Sequence, residues 1–394
     1  MERPAPVPHL SWVVTLKAEG ATYGRGPAVM TSIGDRGAIY LGLDVHKNTI
    51  SAGILGPGEE TPHTDRIGSD DDAVRRLIAR FDDPGRLRSC YEAGPTGYEL
   101  ARLLDSLHVR CQVIAPSLIP TSPGDKVKTD KRDCCRLARL LRAGELTAIR
   151  VPTPAEEGVR DLCRARADMI IDATRAKHRL GKFLLRHGRV WRDGENWTAK
   201  HRVWIAGQRF DDPAVRVTFE HYRSTLAARE AAVAAIEADV VGWCTADPFA
   251  GQVTRLAAYR GVTRIGALTL AAEVCDWRRF PSAGAFMGFC GLVPSEYSSG
   301  ERVRRGHITH AGNVHLRTQL VESAWAYRSH PSLGVGIRER QQGLPPAVTA
   351  RAWRAQQRLC TRFRHLDARK TSRNVVVTAI ARELAGFLWA EMTA

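Results

Sequence analysis

Apolar and polar positions divide the chain into three parts with different periods. Between residues 37 and 150, short apolar runs such as AIYLGLDV, TISAGILG, RLRSCYEA and RCQVIAP alternate with amphipathic segments such as DDDAVRRLIARF and GYELARLLDSL. Runs of this length with β-branched residues predict strands, and the amphipathic segments have the three-to-four spacing of helices. We therefore predict an α/β domain over residues 37–150.

The order of these strands and helices limits which fold the domain can adopt. Three strands come first, followed by alternating helices and strands, and a last helix is predicted in KVKTDKRDCCRLARLL. This order matches a ribonuclease H-like fold. In that fold the first and fourth strands lie side by side at the centre of the sheet, so we expect Asp44 and Glu92, at the ends of those strands, to be neighbours.

The rest of the chain is predicted to be mainly helical. Residues 151–245 begin with a capping box at Thr153-Pro154-Ala155-Glu156 and continue with long apolar stripes at helical spacing. The stripe from Phe219 to Trp243 favours a coiled coil that joins two copies, and an antiparallel pair within one chain is the alternative. Residues 246–394 form a third, basic domain, in which 256–274 resembles a helix-hairpin-helix, with Thr263 where a second glycine is usual. A purely structural turn is equally compatible with that segment.

The first 36 residues differ from all three parts. They are rich in proline and glycine and show no sustained hydrophobic period, so we predict a disordered or loosely attached extension. Met30 lies shortly before the first strand and is an alternative start to Met1. Mass spectrometry of the natural N-terminus distinguishes the two.

Charge and composition limit the class of partner. The 394 residues carry a formal net charge of +16, and more than half of that excess lies in the last hundred residues. A basic field of this size favours polyanions, nucleic acid first, although an arginine-rich composition that serves solubility is the alternative. The nine cysteines form no CxxC pair, which argues against a zinc site and for a reducing compartment. We expect a cytoplasmic protein without a membrane span, because no apolar run reaches about 18 residues.

Four carboxylates follow strand-like runs or open a helix. Asp44 and Glu92 end two of the strands, and Asp130 and Asp133, three residues apart, share a face of the last helix of the α/β domain. Four such oxygen donors suit one or two Mg²⁺ ions, which orient phosphate groups. Each acid alone has an ordinary structural alternative, such as a turn or a helix cap.

A second cluster of candidate residues lies in GLVPSEYSSGERVRRGHITHAGN, from Gly291 to Asn313. Ser298 and Ser299 precede Gly300, and cationic side chains follow at once. A hydroxyl among cations is the arrangement that a serine nucleophile needs to attack a phosphodiester, whereas a basic loop that only binds phosphate is the alternative. The side chains predicted to bind nucleic acid are Arg302, Arg304, Arg305, His307, Arg317, Arg351 and Arg358, and a solvated helix face is the alternative for the last two.

The segments LGLDVHKNTIS, YEAGPTGYEL, VKTDKRDC and FMGFCGLVPSEYSSGERVRRGHITHAGNVHLR resemble the insertion-sequence 110/116/902 transposases, over roughly residues 38–390. The resemblance implies a RuvC-like domain, a coiled coil and a C-terminal transposase domain. It also implies metal-binding catalytic acids at Asp44, Glu92, Asp130 and Asp133, a nucleophile at Ser299 and a covalent phosphoserine link to DNA. The implied partners are DNA, a structured guide RNA and further copies of the chain, in a dimer or tetramer whose active site is shared between protomers.

Two other functions remain open at this point. The first is a metal-dependent nuclease of the Holliday-junction-resolvase type, in which water is the nucleophile and Ser299 only binds phosphate. The second is a catalytically dead relative that binds nucleic acid. Loss of all strand cleavage on Ser299→Ala separates the recombinase from the nuclease.

Overall fold

A computed structural model describes residues 37–120, 129–299, 302–369 and 372–394. The predicted N-terminal extension, Met30 and the glycine turn at Gly300 lie outside the described residues. The described part contains a mixed α/β domain followed by a mostly helical remainder, as the hydrophobic pattern predicted.

The α/β domain is built on one five-stranded sheet. Its strands are β1 (Ile39–Val45), β2 (Thr49–Leu55), β3 (His63–Gly68), β4 (Leu87–Glu92) and β5 (Arg110–Ile114), with α1 (Asp71–Ile78) and α2 (Glu99–Ser106) between them. The strand order is β3-β2-β1-β4-β5. The first three strands are antiparallel to one another, whereas β4 runs parallel to β1 and β5. This topology is consistent with the expected ribonuclease H-like fold.

The two faces of the sheet are covered by different helices. Leu41 and Leu43 of β1 are buried in a core with residues of α1 and α2. Because side chains alternate along a strand, Gly42 and Asp44 point to the opposite face. On that face lies α3 (Asp130–Ala143), whose Leu137 and Leu141 pack with Cys90 of β4. The sheet therefore presents Asp44 on the side of the helix that carries Asp130 and Asp133.

Helix α3 lies unusually close to the sheet because two paired glycines face it. Gly42 of β1 and Gly53 of β2 are register partners. A Cβ atom on Gly42 would lie 2.2 Å from the carbonyl oxygen of Cys134, and one on Gly53 would lie 2.6 Å from the same oxygen. The helix backbone thus occupies the space that side chains would take, which fixes the height of α3 above the strand that carries Asp44.

Residues 151–245 form a helical hairpin within the chain. Its helices are α4 (Pro154–Arg186), α5 (Ala199–Ala206) and α6 (Pro213–Trp243), and the predicted capping box at Thr153 and Glu156 is present. Phe183 of α4 and Phe219 of α6 are buried together with Phe210. The first part of the apolar stripe of α6, from Phe219 to Leu226, is thus covered by α4 of the same chain, which is the intrachain alternative to a coiled-coil seam between copies, whereas Trp243 at the end of the stripe is exposed.

The C-terminal region contains the largest hydrophobic core. Its elements are α7 (Ala250–Leu256), α8 (Arg264–Val274), α9 (Ala283–Phe289), β6 (Pro294–Glu296), β7 (Arg305–Ile308), α10 (Val314–Ala324), α11 (Val335–Gln341), α12 (Pro346–Ala368) and α13 (Arg373–Thr393). The core also includes Val159 of α4 and Val240 of α6. The base of the helical hairpin is therefore part of this domain, although the sequence pattern separated the two near residue 245.

The segment predicted to resemble a helix-hairpin-helix forms a turn packed on α10. Thr263 caps α8 by accepting a hydrogen bond from the backbone of Gly266 at 3.0 Å. Gly261 has a φ of +80°, and a Cβ there would lie 2.1 Å from the carbonyl oxygen of Ser323. This turn has a structural role in joining α7, α8 and α10.

Among the described residues, none of the helices has both the length and the low polarity that a membrane crossing requires.

Candidate active site

The carboxylates of Asp44 and Asp130 come together at the end of β1. Ligand atoms of Asp44, His46 and Asp130 all lie within 4.8 Å of one another. His46 Nε2 is 3.2 Å from Asp44 Oδ2 and 3.5 Å from Asp130 Oδ1. Asp130 opens α3, whose N-terminus is capped by Thr129, so the cap and the two sheet glycines together decide where its carboxylate lies.

The electrostatics of this cluster favour a bound cation. Burial raises the pKa of Asp44 above its usual value. The imidazole of His46 lowers that pKa, whereas the carboxylates of Asp130 and Asp133 raise it further. Three acids that repel one another at a half-buried position are stabilised when a divalent cation binds between them. This donor set fits a metal ion.

Glu92 and Asp133 are adjacent to the cluster and are not within its 4.8 Å group. Glu92 ends β4, one residue after Tyr91, which pairs with Leu43 of β1, so Glu92 lies beside Asp44 in the strand register. Asp133 lies one turn after Asp130 in α3. The strand register thus puts Glu92 next to Asp44, and the helix turn puts Asp133 next to Asp130, at the carboxyl ends of β1 and β4.

Sequence reasoning did not select His46 as a site residue. It follows Asp44 by two positions, and that spacing at the end of a strand points both side chains to the same face. The side chain of His46 is about half exposed, so it can accept a metal or contact a substrate.

Ser299 lies at the tip of a two-stranded hairpin formed by β6 and β7. Its backbone N–H donates to the carbonyl of Arg302 at 3.2 Å, and Arg302 N–H donates back at 3.1 Å. The neighbouring Ser298 hydroxyl is already engaged: it donates to Glu296 at 2.8 Å and accepts from Arg304 N–H at 3.2 Å. Both serines are exposed to solvent, so the hydrogen bonds of the Ser298 hydroxyl, rather than exposure, favour Ser299 as the candidate nucleophile.

Two glycines close the base of this hairpin. Gly291 and Gly312 have φ values of +65° and +87°. A Cβ on Gly291 would lie 2.0 Å from the carbonyl oxygen of Ala311, and one on Gly312 would lie 2.2 Å from that of Phe289. Arg317 donates to the carbonyl of Cys290 at 3.0 Å, so this predicted nucleic-acid contact is engaged with the backbone at the hairpin base.

The predicted basic residues differ in how free they are. Arg302, Arg304, Arg305 and His307 are exposed along the hairpin, and Arg305 Nε lies 3.6 Å from Glu296 Oε2 in an ion pair. Burial lowers the pKa of Arg382 on α13, and the nearby cations Arg305 and Arg362 lower it further. Positive charge is therefore concentrated where the hairpin meets α12 and α13.

The two predicted contacts on α12 are both paired with carboxylates. Arg358 binds Glu383 at 2.6 Å, and its own side chain is more than half exposed. Arg351 binds the fully buried carboxylate of Glu391 at 2.6 and 2.9 Å. The guanidinium of Arg351 thus stabilises the interior, and Arg358 remains closer to solvent.

Both regions of the chain match transposase family models. Residues 253–334, which include the serine hairpin, match the family model described as "Transposase IS116/IS110/IS902 family". Residues 41–188, which include the four carboxylates, match a second transposase model, of the DEDD type. The two matches together span more than half of the chain.

Curated relatives extend the similarity over nearly the whole length. A putative transposase of Sinorhizobium fredii is 42% identical over 93% of this chain and 92% of its own length. The transposase for insertion sequence element IS1533 of Leptospira borgpetersenii is 31% identical over 84% of this chain and 97% of its own length. This chain therefore belongs to the IS116/IS110/IS902 family of transposases, enzymes that transpose DNA.

Proposed function

We propose that the chain cleaves and rejoins DNA strands through a covalent serine–phosphate intermediate, with Ser299 as the nucleophile. The observation that carries the proposal is the exposed Ser299 at the tip of a hairpin lined by exposed Arg302, Arg304 and His307. The guanidinium groups of Arg302 and Arg304 would neutralise the phosphodiester and stabilise the negative charge that develops on its oxygens.

The proposed step is a transesterification that conserves the number of phosphodiester bonds. The Ser299 oxygen forms a bond to phosphorus while the bond between phosphorus and the 3′ oxygen breaks. The 5′ phosphate then remains on the serine, and the hydroxyl proton ends on the released 3′ oxygen. Reversal with a different 3′ hydroxyl joins new strands without any other source of energy.

A divalent cation, Mg²⁺ in our proposal, would be held by Asp44, Asp130 and His46, with Glu92 on the neighbouring strand and Asp133 one helical turn away as further carboxylates. When bound, it supplies charge stabilisation to phosphate oxygens and to the leaving 3′ oxygen. The raised pKa of Asp44, caused by burial and by neighbouring carboxylates, supports a cation at this point. The oxygen-rich donors suit Mg²⁺, and the imidazole would also accept Mn²⁺.

The proposal extends to two partners. A structured guide RNA from the element would select donor and target DNA, and the basic hairpin and α12 offer it backbone contacts. Self-association, as a dimer or tetramer, would bring the acids of one protomer to the serine of another. The outer faces of α4 and α6 expose Ile171, Val217 and Trp243, which supports contact between copies through this hairpin. If its substrate is chromosomal DNA, the protein would act in the cytoplasm, at the nucleoid.

Covalent trapping tests the chemistry. The protein is produced together with its flanking DNA, so that the element ends and any encoded RNA are present, and adducts are resolved on denaturing gels with and without Mg²⁺. We expect a protein–DNA adduct in the wild type and none with Ser299→Ala or Asp44→Asn. Ser298→Ala is the matched control, because its hydroxyl is held by Glu296, and it should retain the adduct.

Other outcomes identify other functions. Mg²⁺-dependent cleavage that persists in Ser299→Ala contradicts the serine intermediate and supports a hydrolytic nuclease. An adduct that persists in Asp44→Asn contradicts the metal assignment. Loss of the adduct in Ser298→Ala but not in Ser299→Ala would identify Ser298 as the nucleophile.

A further inference from the structure

A buried carboxylate, Glu273, joins the serine hairpin to the rest of the molecule. It lies near the end of α8 with only 1% of its side chain exposed. Its two oxygens accept hydrogen bonds from Arg164 Nε at 2.7 Å and Arg164 Nη2 at 2.8 Å. One of them also accepts from Asn313 Nδ2 at 2.7 Å. Burial raises the pKa of Glu273, but these donors bring the pKa below its usual value.

Asn313 lies at the base of the serine hairpin, and both the nitrogen and the oxygen of its side-chain amide form hydrogen bonds there. Its amide oxygen accepts from the backbone of Leu316 at 3.0 Å and so caps α10. Its backbone N–H donates to the carbonyl of Phe289 at 2.8 Å, where the chain enters the hairpin. The entry and exit of the hairpin therefore meet at Asn313, and Glu273 fixes the orientation of its amide.

Arg164 connects the same carboxylate to the α/β domain. It lies on α4, whose first two turns also carry Glu157 and Arg160. Glu157 forms an ion pair with Arg102 of α2, and the guanidinium of Arg160 lies 5.5 Å from the ring of Tyr98. Helix α4, whose Arg164 binds Glu273, is thus anchored on the domain that carries the acids.

We infer that Glu273, held between Arg164 and Asn313, is a positioning residue that fixes the serine hairpin relative to α4. It does not touch DNA. It acts through Asn313 on the direction in which the hairpin leaves the domain, and this inference rests on the proposed role of Ser299. A displacement of about 1 Å of a reacting group costs roughly a hundredfold in rate, so loss of the network should slow strand cleavage while leaving DNA binding nearly unchanged.

Reversing the polarity of one hydrogen bond tests the inference. Glu273→Gln replaces one acceptor by a donor, which opposes the donors of Arg164 and Asn313. Asn313→Asp keeps a good helix cap but sets a carboxylate against Glu273. In the double variant, the amide introduced at 273 can donate to the carboxylate introduced at 313. The matched control is Glu391→Gln, which removes a charge from another buried carboxylate bound by two arginines, Arg255 and Arg351.

Three quantities are measured for each variant: the single-turnover rate of adduct formation at saturating DNA, the DNA concentration for half-maximal rate, and hydrogen exchange of the amides from 289 to 313. We expect each single variant to lose at least about tenfold in saturated rate, with less than about twofold change in half-saturation. Exchange at the hairpin base should rise, and the double variant should recover most of the rate. Glu391→Gln should lose stability but keep the rate.

The result that overturns the inference is a Glu273→Gln protein with the wild-type saturated rate and wild-type exchange at the hairpin base. A double variant no better than its singles also overturns it. If Glu273→Gln does not fold, Asn313→Asp and the double variant decide by themselves, because Asn313→Asp leaves Arg164 and Glu273 in place. Failure of the serine proposal is seen separately, as cleavage without an adduct in the wild type; the exchange measurements then still test the network.

Discussion

The close approach of α3 to Gly42 of β1 makes the sharpest prediction. In Gly42→Ala, the new Cβ would lie 2.2 Å from the carbonyl oxygen of Cys134 and 2.4 Å from the nitrogen of Ala138. These are backbone atoms of α3, which cannot rotate away as a side chain would. Since non-bonded carbon contacts are favourable near 3.5 Å, α3 has to withdraw from the sheet by about 1 Å.

That withdrawal acts directly on the acidic cluster. Asp130 moves with α3 while Asp44 stays on β1, and metal sites tolerate changes in ligand distance of only about 0.2 Å. We therefore expect metal-dependent cleavage to fall at least about a hundredfold, while overpacking costs roughly 1–3 kcal/mol of folding stability. Gly53→Ala, whose nearest contact is 2.6 Å, should have a smaller effect in the same direction.

The assay combines Mn²⁺ titration calorimetry, strand cleavage and thermal unfolding on the same preparations. Gly158→Ala is the matched control, because Gly158 is exposed on α4 and a Cβ added there would meet no atom of the described residues within 4 Å. It should leave metal affinity and cleavage unchanged. A folded Gly42→Ala protein with wild-type metal affinity and cleavage would refute the argument that this close approach sets the site.

Two further predictions concern charged residues of the C-terminal domain. Glu391→Ala leaves Arg255 and Arg351 without their buried partner, so unfolding in urea should show a loss of about 3–5 kcal/mol. Burial opposes ionisation of Glu391, but hydrogen bonds from these arginines lower its pKa below the usual 4.5. The contribution of Glu391 to folding stability is therefore complete above pH 4.5 and disappears as the carboxyl is protonated at lower pH. Arg304→Ala should reduce the slope of log binding constant against log salt concentration by about one unit. Arg351→Ala should reduce folding stability and leave that slope unchanged. Equal slopes in the wild type and Arg304→Ala would contradict a contact between Arg304 and a phosphate.

Local pattern was enough to predict most elements of the chain. The strands AIYLGLDV and RLRSCYEA and the capping box at Thr153 appear where the sequence places them. These features depend on neighbours within a few residues, such as alternation along a strand or a side chain that caps its own helix. For the same reason Asp44 and Glu92 could be placed at strand ends, and the strand order made them neighbours.

Contacts between distant segments were decided only by the tertiary structure. The periodic arginines of α12 looked alike in sequence, yet Arg351 reaches the buried Glu391, forty residues further along the chain, and Arg358 stays near solvent. The apolar stripe of α6 could pack against a second copy or against the same chain, and the structure packs its first part, Phe219 to Leu226, against α4 of the same chain. Hydrophobic periodicity predicts that one face of a helix is buried, but it does not predict which element covers that face.

The sequence by itself therefore determined the fold class, the order of elements and the candidate residues, because each follows from local spacing and side-chain chemistry. The tertiary structure decided which candidates meet. It brought His46 to Asp44 and Asp130, bound the Ser298 hydroxyl to Glu296, and placed Glu273 between α4 and the hairpin base. These contacts between distant residues depend on how closely whole helices and strands approach one another. That distance is set by packing across the sheet and the core rather than by any local pattern.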